Sequence, residues 1–289
     1  MTTEKSKEAQ VQEAVRPEFQ HTSLREIAEN APKPKRSILQ ERLINTKDSK
    51  ETFLRALLYG VSGSGKTHTA RTLPLDRTLV LLVEPKHLPL RGQDIDAITI
   101  HSWAEYAAAF REIAGALKNG VLEVNGKKKN IIFIDSLSHI NELCKQQIIK
   151  KDRPALLYKA EKDVGNIYDE LLGINDWQLL GARIDATTSA FCHLPIDLIF
   201  TCLERWITDE ETGINQKAPL LNGNLPITIG RYFDCVFHQK MSDIDGQIIA
   251  EFETHQTPTM GAKSQVEINA TEPADWTAIL QKLFGKRGK

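Results

Sequence analysis

Apolar residues in this chain fall into short unbroken runs separated by polar segments. Ala56-Leu57-Leu58-Tyr59 is one such run, inside the segment Phe53 to Tyr59. Arg77 to Glu84 holds a second, Thr78-Leu79-Val80-Leu81-Leu82-Val83, and Pro85 closes it. Ile131-Ile132-Phe133-Ile134 ends in Asp135, and Pro195 to Cys202 carries Leu198-Ile199-Phe200 at its centre. Runs this short and this apolar predict strands buried on both faces. Ala97 to Ile100, Tyr232 to His238 and Gln247 to Glu253 predict further strands. Helical spacing of apolar residues appears over Trp103 to Leu117, His139 to Lys151, Lys162 to Leu172, Trp177 to Phe191 and Asp275 to Phe284. Val121 to Lys129 reads as a hairpin turned at Asn125-Gly126. The long polar stretch Arg205 to Asn224 suggests another, with Glu211-Thr212-Gly213 at its tip. Strands alternating with helices predict an α/β fold, a mainly parallel sheet with helices on both faces. In such a sheet ligands bind at the carboxyl ends of the strands, where Gly60, Glu84, Asp135 and Thr201 fall.

The first fifty residues break this pattern. Met1 to Gln20 is rich in Glu, Lys, Gln and Thr and poor in large apolar side chains. Ser23 to Glu29 opens with a Ser-x-x-Glu capping signal, Pro32 and Pro34 interrupt, and Ser37 to Ile44 could form a second short helix. Residues 1–50 are therefore expected to be a polar, flexible arm, and 51–289 a single nucleotide-binding domain. The arm either holds a neighbouring subunit or partner or is a solvated tail.

The chemistry sits between the first strand and the first helix. Gly60-Val61-Ser62-Gly63-Ser64-Gly65-Lys66-Thr67 fits G-x-x-x-x-G-K-[ST], the phosphate-binding loop, and a helix over Thr67 to Leu73 follows it. Glycines let the backbone curl so that successive N–H groups face phosphate oxygens, and the helix that follows adds its own N-terminal N–H groups. Lys66 is expected to reach the β- and γ-phosphates of ATP and Thr67 to ligate Mg²⁺. Asp135, ending an apolar strand downstream of that loop, has the Walker B pattern and is expected to hold Mg²⁺ through water. Hydrolysis also requires a group that orients or deprotonates the attacking water. Ser136 stands where many ATPases carry a Glu, so Glu84, at the end of the second strand, is the candidate base.

Composition narrows the remaining possibilities. A net charge of -1 excludes a chain that coats nucleic acid by bulk charge, so any such contact is a local patch. The four cysteines, Cys144, Cys192, Cys202 and Cys235, form no C-x-x-C pair and read as reduced thiols. No apolar stretch is long enough to span a membrane and no signal peptide is visible, so a cytoplasmic protein without a membrane partner is expected.

A Glu ending the second strand, with Asp-Ser after the apolar run, resembles the RecA-like branch of P-loop NTPases. More closely, the chain resembles the short RecA-like ATPases of bacteriophages, known as phage nucleotide-binding proteins, some of them single-strand annealing proteins. The matching pieces are Leu58-Tyr59-Gly60 through Thr67, Leu82-Val83-Glu84, Ile132-Phe133-Ile134-Asp135-Ser136, Ile199-Phe200-Thr201-Cys202-Leu203-Glu204 and Tyr232-Phe233-Asp234-Cys235-Val236. The resemblance implies an Mg²⁺-ATP-dependent ATPase of recombination or replication in the host cytoplasm. It also implies single-stranded DNA, a single-strand DNA-binding protein or further copies of the chain as partners. It places the loop after the fourth core strand, with Arg205, Trp206 and Lys217, near a DNA path. Lys127 to Lys129 and Lys150 to Arg153 are other basic runs, and Asp209, Glu210 and Glu211 oppose them. The chain departs from the family at Leu203, where a His or Gln that senses the γ-phosphate is usual, leaving Thr201 or Glu204 as substitutes. It departs again at Ser264 and Gln265, where Asp and Arg are usual. Lys263 or Arg231 could act on a neighbour's nucleotide. Two alternatives remain beside the ATPase: a nucleotide-gated assembly module with little hydrolysis, and a small-molecule kinase.

Overall fold

The computed structural model describes residues 53–84, 87–152, 172–208 and 212–285. The arm expected over 1–50, the helix expected over 162–172 (but for its last residue) and the acidic tip 209–211 lie outside them.

Strand β1 (Arg55–Gly60) leads into the glycine loop, and a 3₁₀ helix, Thr67–Thr72, follows. Then come β2 (Thr78–Leu82), β3 (Asp96–Thr99), helix α1 (Trp103–Lys118), the hairpin β4 (Leu122–Val124) and β5 (Lys127–Lys129), and β6 (Ile131–Asp135). Helices α2 (Leu137–Asp152) and α3 (Ile174–Cys192) precede β7 (Asp197–Thr208) and β8 (Asn215–Pro219). After the short α4 (Leu225–Thr228) and a 3₁₀ turn, Ile229–Tyr232, the described chain closes with β9 (Cys235–Ile244), β10 (Gln247–Glu253), β11 (Lys263–Ser264), β12 (Thr271–Pro273) and α5 (Trp276–Phe284).

The main sheet runs β12-β10-β9-β1-β7-β6-β2-β3, with β8 added to β7 and β11 to β9. Pairing is parallel from β9 across to β3, and antiparallel among β9, β10 and β12. This is the expected α/β architecture. One strand, β7, separates the loop strand β1 from β6 and its terminal aspartate.

Two apolar cores lie on the two sides of the sheet, as the period-2 alternation of strand side chains requires. Leu57 and Tyr59 of β1 join residues of α1, α2 and α3, among them Tyr106, Ile140 and Phe191. Ala56 and Leu58 join Ala70, Phe252 and Trp276 in the other core. In that second core Trp276 clamps the helix behind the loop: its indole N–H donates to Thr69 Oγ1 at 3.0 Å and its backbone N–H to Thr72 Oγ1 at 2.8 Å.

Several boundaries differ from those the sequence suggests. The segment after the loop is a 3₁₀ helix, Thr67–Thr72, not an α-helix reaching Leu73. Tyr232 to Asp234 is not strand: Asp234 turns its carboxylate to the Arg55 N–H at 2.9 Å, and β9 begins at Cys235, where pairing with Ala56 starts. Residues Arg205 to Thr208, expected in a polar insertion, instead continue β7 beyond the sheet and pair with β8.

Candidate functional site

The loop sits at the carboxyl end of β1. Val61, Ser62 and Gly63 form an exposed crest, while Ser64 and Lys66 are buried below it. Gly63 and Gly65 take positive φ, +84° and +85°, a backbone curl that residues with a Cβ rarely adopt. Lys66 extends under the curl, its ammonium donating to the carbonyls of Gly60 at 2.9 Å and Val61 at 2.7 Å. Burial lowers its pKa from the usual lysine value, while the charges of Asp135 and Glu84 oppose that shift.

Asp135 reaches the same place from two strands away. Thr67 Oγ1 donates to its Oδ2 at 2.6 Å and Thr201 Oγ1, from β7, to its Oδ1. It is 3% exposed. Burial pushes its pKa above the usual carboxylate range, and the two threonine hydroxyls hold it back. Because the folded pKa is raised, this group stabilises the protein most below its unfolded pKa and loses that contribution as pH rises through the folded value. A hydroxyl and a carboxylate side by side are the hard oxygen donors that suit a divalent cation such as Mg²⁺.

Glu84 lies one strand further. Leu82 pairs with Asp135, so the end of β2 is level with the end of β6. Glu84 Oε1 accepts from Ser136 Oγ at 2.9 Å, and the Glu84 N–H donates to the Asp135 carbonyl. Ser136, in the position where many ATPases carry a glutamate, thus bonds the glutamate just past the neighbouring strand. Lys66, Asp135 and Glu84 lie close enough for their charges to interact.

The candidate γ-phosphate sensors are engaged otherwise. Thr201 bonds Asp135, and Glu204 Oε2 meets His238 Nε2 at 2.7 Å. His238 Nδ1 meets Glu253 at 2.6 Å, so a buried imidazole joins two carboxylates beside the Tyr59 ring. Leu203 presents its backbone N–H to Ser138 Oγ at 3.0 Å. Arg231 is held by Asp185 at 2.7 Å, and Lys263 donates to the Gly230 carbonyl at 3.0 Å.

Gln239 and His238 are not legible in the sequence. Gln239, on β9, is fully buried and donates from Nε2 to the Ser64 carbonyl at 2.6 Å, fixing the loop from behind. It is 175 positions from Ser64, and nothing in local spacing signals that contact.

A family model described as an AAA domain matches residues 52–266. Comparison with curated proteins gave no match. Among solved structures the flagellar accessory protein FlaH of Methanocaldococcus jannaschii aligns at 11% identity over 79% of this chain and 92% of its own, with a TM-score of 0.37. The family match spans the glycine loop, both acidic strand ends and the hairpin after β7, and on that extent this chain belongs to the AAA domain family of α/β P-loop NTPases.

Proposed function

We propose that this protein binds Mg²⁺-ATP in the Gly60–Thr67 loop and hydrolyses it, coupling the cycle to single-stranded DNA in phage recombination or replication. The observation that carries the reading is the 2.6 Å bond between Thr67 and Asp135, which joins loop and acidic strand at one point beside Lys66. In the reading, the loop N–H groups and Lys66 bind the phosphates. Thr67 and Asp135 would hold Mg²⁺, which when bound neutralises charge on the β- and γ-phosphate oxygens. Glu84, positioned by Ser136, takes the proton of the attacking water. The DNA element rests on the β7–β8 hairpin, where Trp206 is 55% exposed and the Lys217 ammonium lies 5.7 Å from its ring. An exposed ring beside a cation suits base stacking next to a phosphate.

A second reading, a nucleotide-gated assembly module with slow hydrolysis, is favoured by the engagement of Thr201 and Glu204 with other side chains. A phosphate-release assay with and without a dT oligonucleotide separates the two. Turnover stimulated by DNA, lost in Glu84→Gln with ATP binding retained, supports the first reading. Tight ATP binding without turnover supports the second, and turnover only with a small acceptor indicates a kinase. Lys66→Ala should weaken ATP binding by at least about tenfold, roughly 1.4 kcal/mol, by removing a charged phosphate contact. Unchanged affinity in that variant would refute nucleotide binding at this loop.

A further inference from the structure

Three cations that play no part in the nucleotide site converge elsewhere. Lys217 from β8, Arg231 from the turn before β9, and Lys263 from β11 line one cavity of about 390 Å³. Apolar side chains make up much of the rest of its wall, including Ile207, Ile227 and Val236. No carboxylate and no aromatic ring is among the lining residues. Lys217 and Lys263 have no carboxylate within ion-pair distance among the described residues; the Lys263 ammonium donates to the Gly230 carbonyl and keeps further protons to offer. Arg231 is steadied from outside the cavity by Asp185 and by the Tyr232 hydroxyl at 2.9 Å. Ile227 is 70% exposed on the rim. Tyr59, one residue before the glycine loop, donates to the Gly261 carbonyl at 2.6 Å, so the strand that carries the loop also supports this cavity.

We infer that the cavity docks an acidic peptide segment of a partner protein, with one large apolar side chain seated beside Ile227 and Val236 and flanking carboxylates facing the three cations. An apolar socket with a cationic border is the arrangement in which an anchor residue supplies affinity and charge supplies selectivity. A nucleic acid fits the cavity itself less well, because base stacking needs an aromatic platform and the nearest ring, Trp206 beside Lys217, lies on the hairpin outside the lining. The inference does not depend on ATP turnover, and the experiment below runs without nucleotide.

Fluorescence anisotropy of the full chain would use a fluorescein-labelled peptide Glu-Asp-Glu-Leu-Phe-Glu. Two controls accompany it, one with Leu-Phe changed to Ser-Ser and one with the acids changed to their amides. Saturable binding to the first peptide, at least tenfold weaker for either control and at least fivefold weaker for Lys263→Ala or Ile227→Asp, is the expected result. Ile227 is exposed, so its variant should fold even if Lys263→Ala does not; circular dichroism checks both. Absence of saturation, equal binding of the serine control, or displacement of the peptide by a dT oligonucleotide that persists in Trp206→Ala would overturn the inference. The last outcome would make the cavity a nucleic-acid site.

Discussion

At the scale of single residues, two glycines of the loop are required for different reasons. A Cβ on Gly63 would meet nothing within 4 Å, so only its positive φ resists substitution, at about 1 kcal/mol. A Cβ on Gly60 would lie 2.7 Å from the Gln239 carbonyl oxygen, which is backbone of the neighbouring strand and cannot swing aside. Gly60→Ala must therefore push β1 from β9 and, through Gln239, shift Ser64. We expect it to lower unfolding stability by about 1–3 kcal/mol and to weaken ATP binding, as read by urea denaturation and calorimetry. Gly63→Ala should lose less stability. Equal losses would show that close approach to β9 is not what selects glycine at position 60.

At the scale of elements, the β4–β5 hairpin is tied to β3 by a buried charged pair, with an exposed one, Lys127 to Asp94, beside it. Asn125 and Gly126 take positive φ at the turn, as Asn-Gly predicts, and bring Lys129 to Asp96 on β3. The Lys129 side chain is fully buried; its ammonium also donates to the Asp76 carbonyl at 2.8 Å. The hydrogen bond from Lys129, then that from Asn125, holds the Asp96 carboxyl below the usual carboxylate range. A depressed folded pKa means stability that is present above the unfolded value, about 3.9, and is lost as pH falls through the folded value. Asp96→Asn would leave a buried ammonium without its carboxylate. We expect a loss of about 2–3 kcal/mol at pH 7 that shrinks below pH 4, measured by guanidinium denaturation across pH. A loss independent of pH would assign the effect to packing instead.

At the scale of the whole molecule, all four cysteines are buried thiols, Cys144 and Cys192 on helices α2 and α3 and Cys202 and Cys235 on strands β7 and β9. Burial raises their pKa values, to about 12 for Cys144 and Cys192 and about 11 for Cys202 and Cys235. A buried, protonated thiol is a poor nucleophile. Reaction with a disulfide reagent at pH 8 should therefore follow unfolding, with all four thiols appearing together. Mg²⁺-ATP at a hundred times its Kd should stabilise the fold by about 2.7 kcal/mol and slow that reaction accordingly. Fast modification of one thiol in the native state would reveal local opening.

The linear sequence determined the parts whose physics is local. Short apolar runs are strands because only burial on both faces accommodates them, and the glycine loop is readable because phosphate binding needs that residue order within eight positions. Asp135 and Glu84 were legible as strand-end acids, and Asn125-Gly126 as a turn. Tertiary structure decided the rest. The register of β2 against β6 sets Glu84 beside Ser136, and β7 lies between β1 and β6 so that Thr201 can reach Asp135. Gln239 reaches the loop from a strand far along the chain, and Glu204 is drawn away to His238. Such contacts depend on which strands become neighbours, and strand order is fixed by the packing of helices over the whole sheet, a property that no window of the sequence contains.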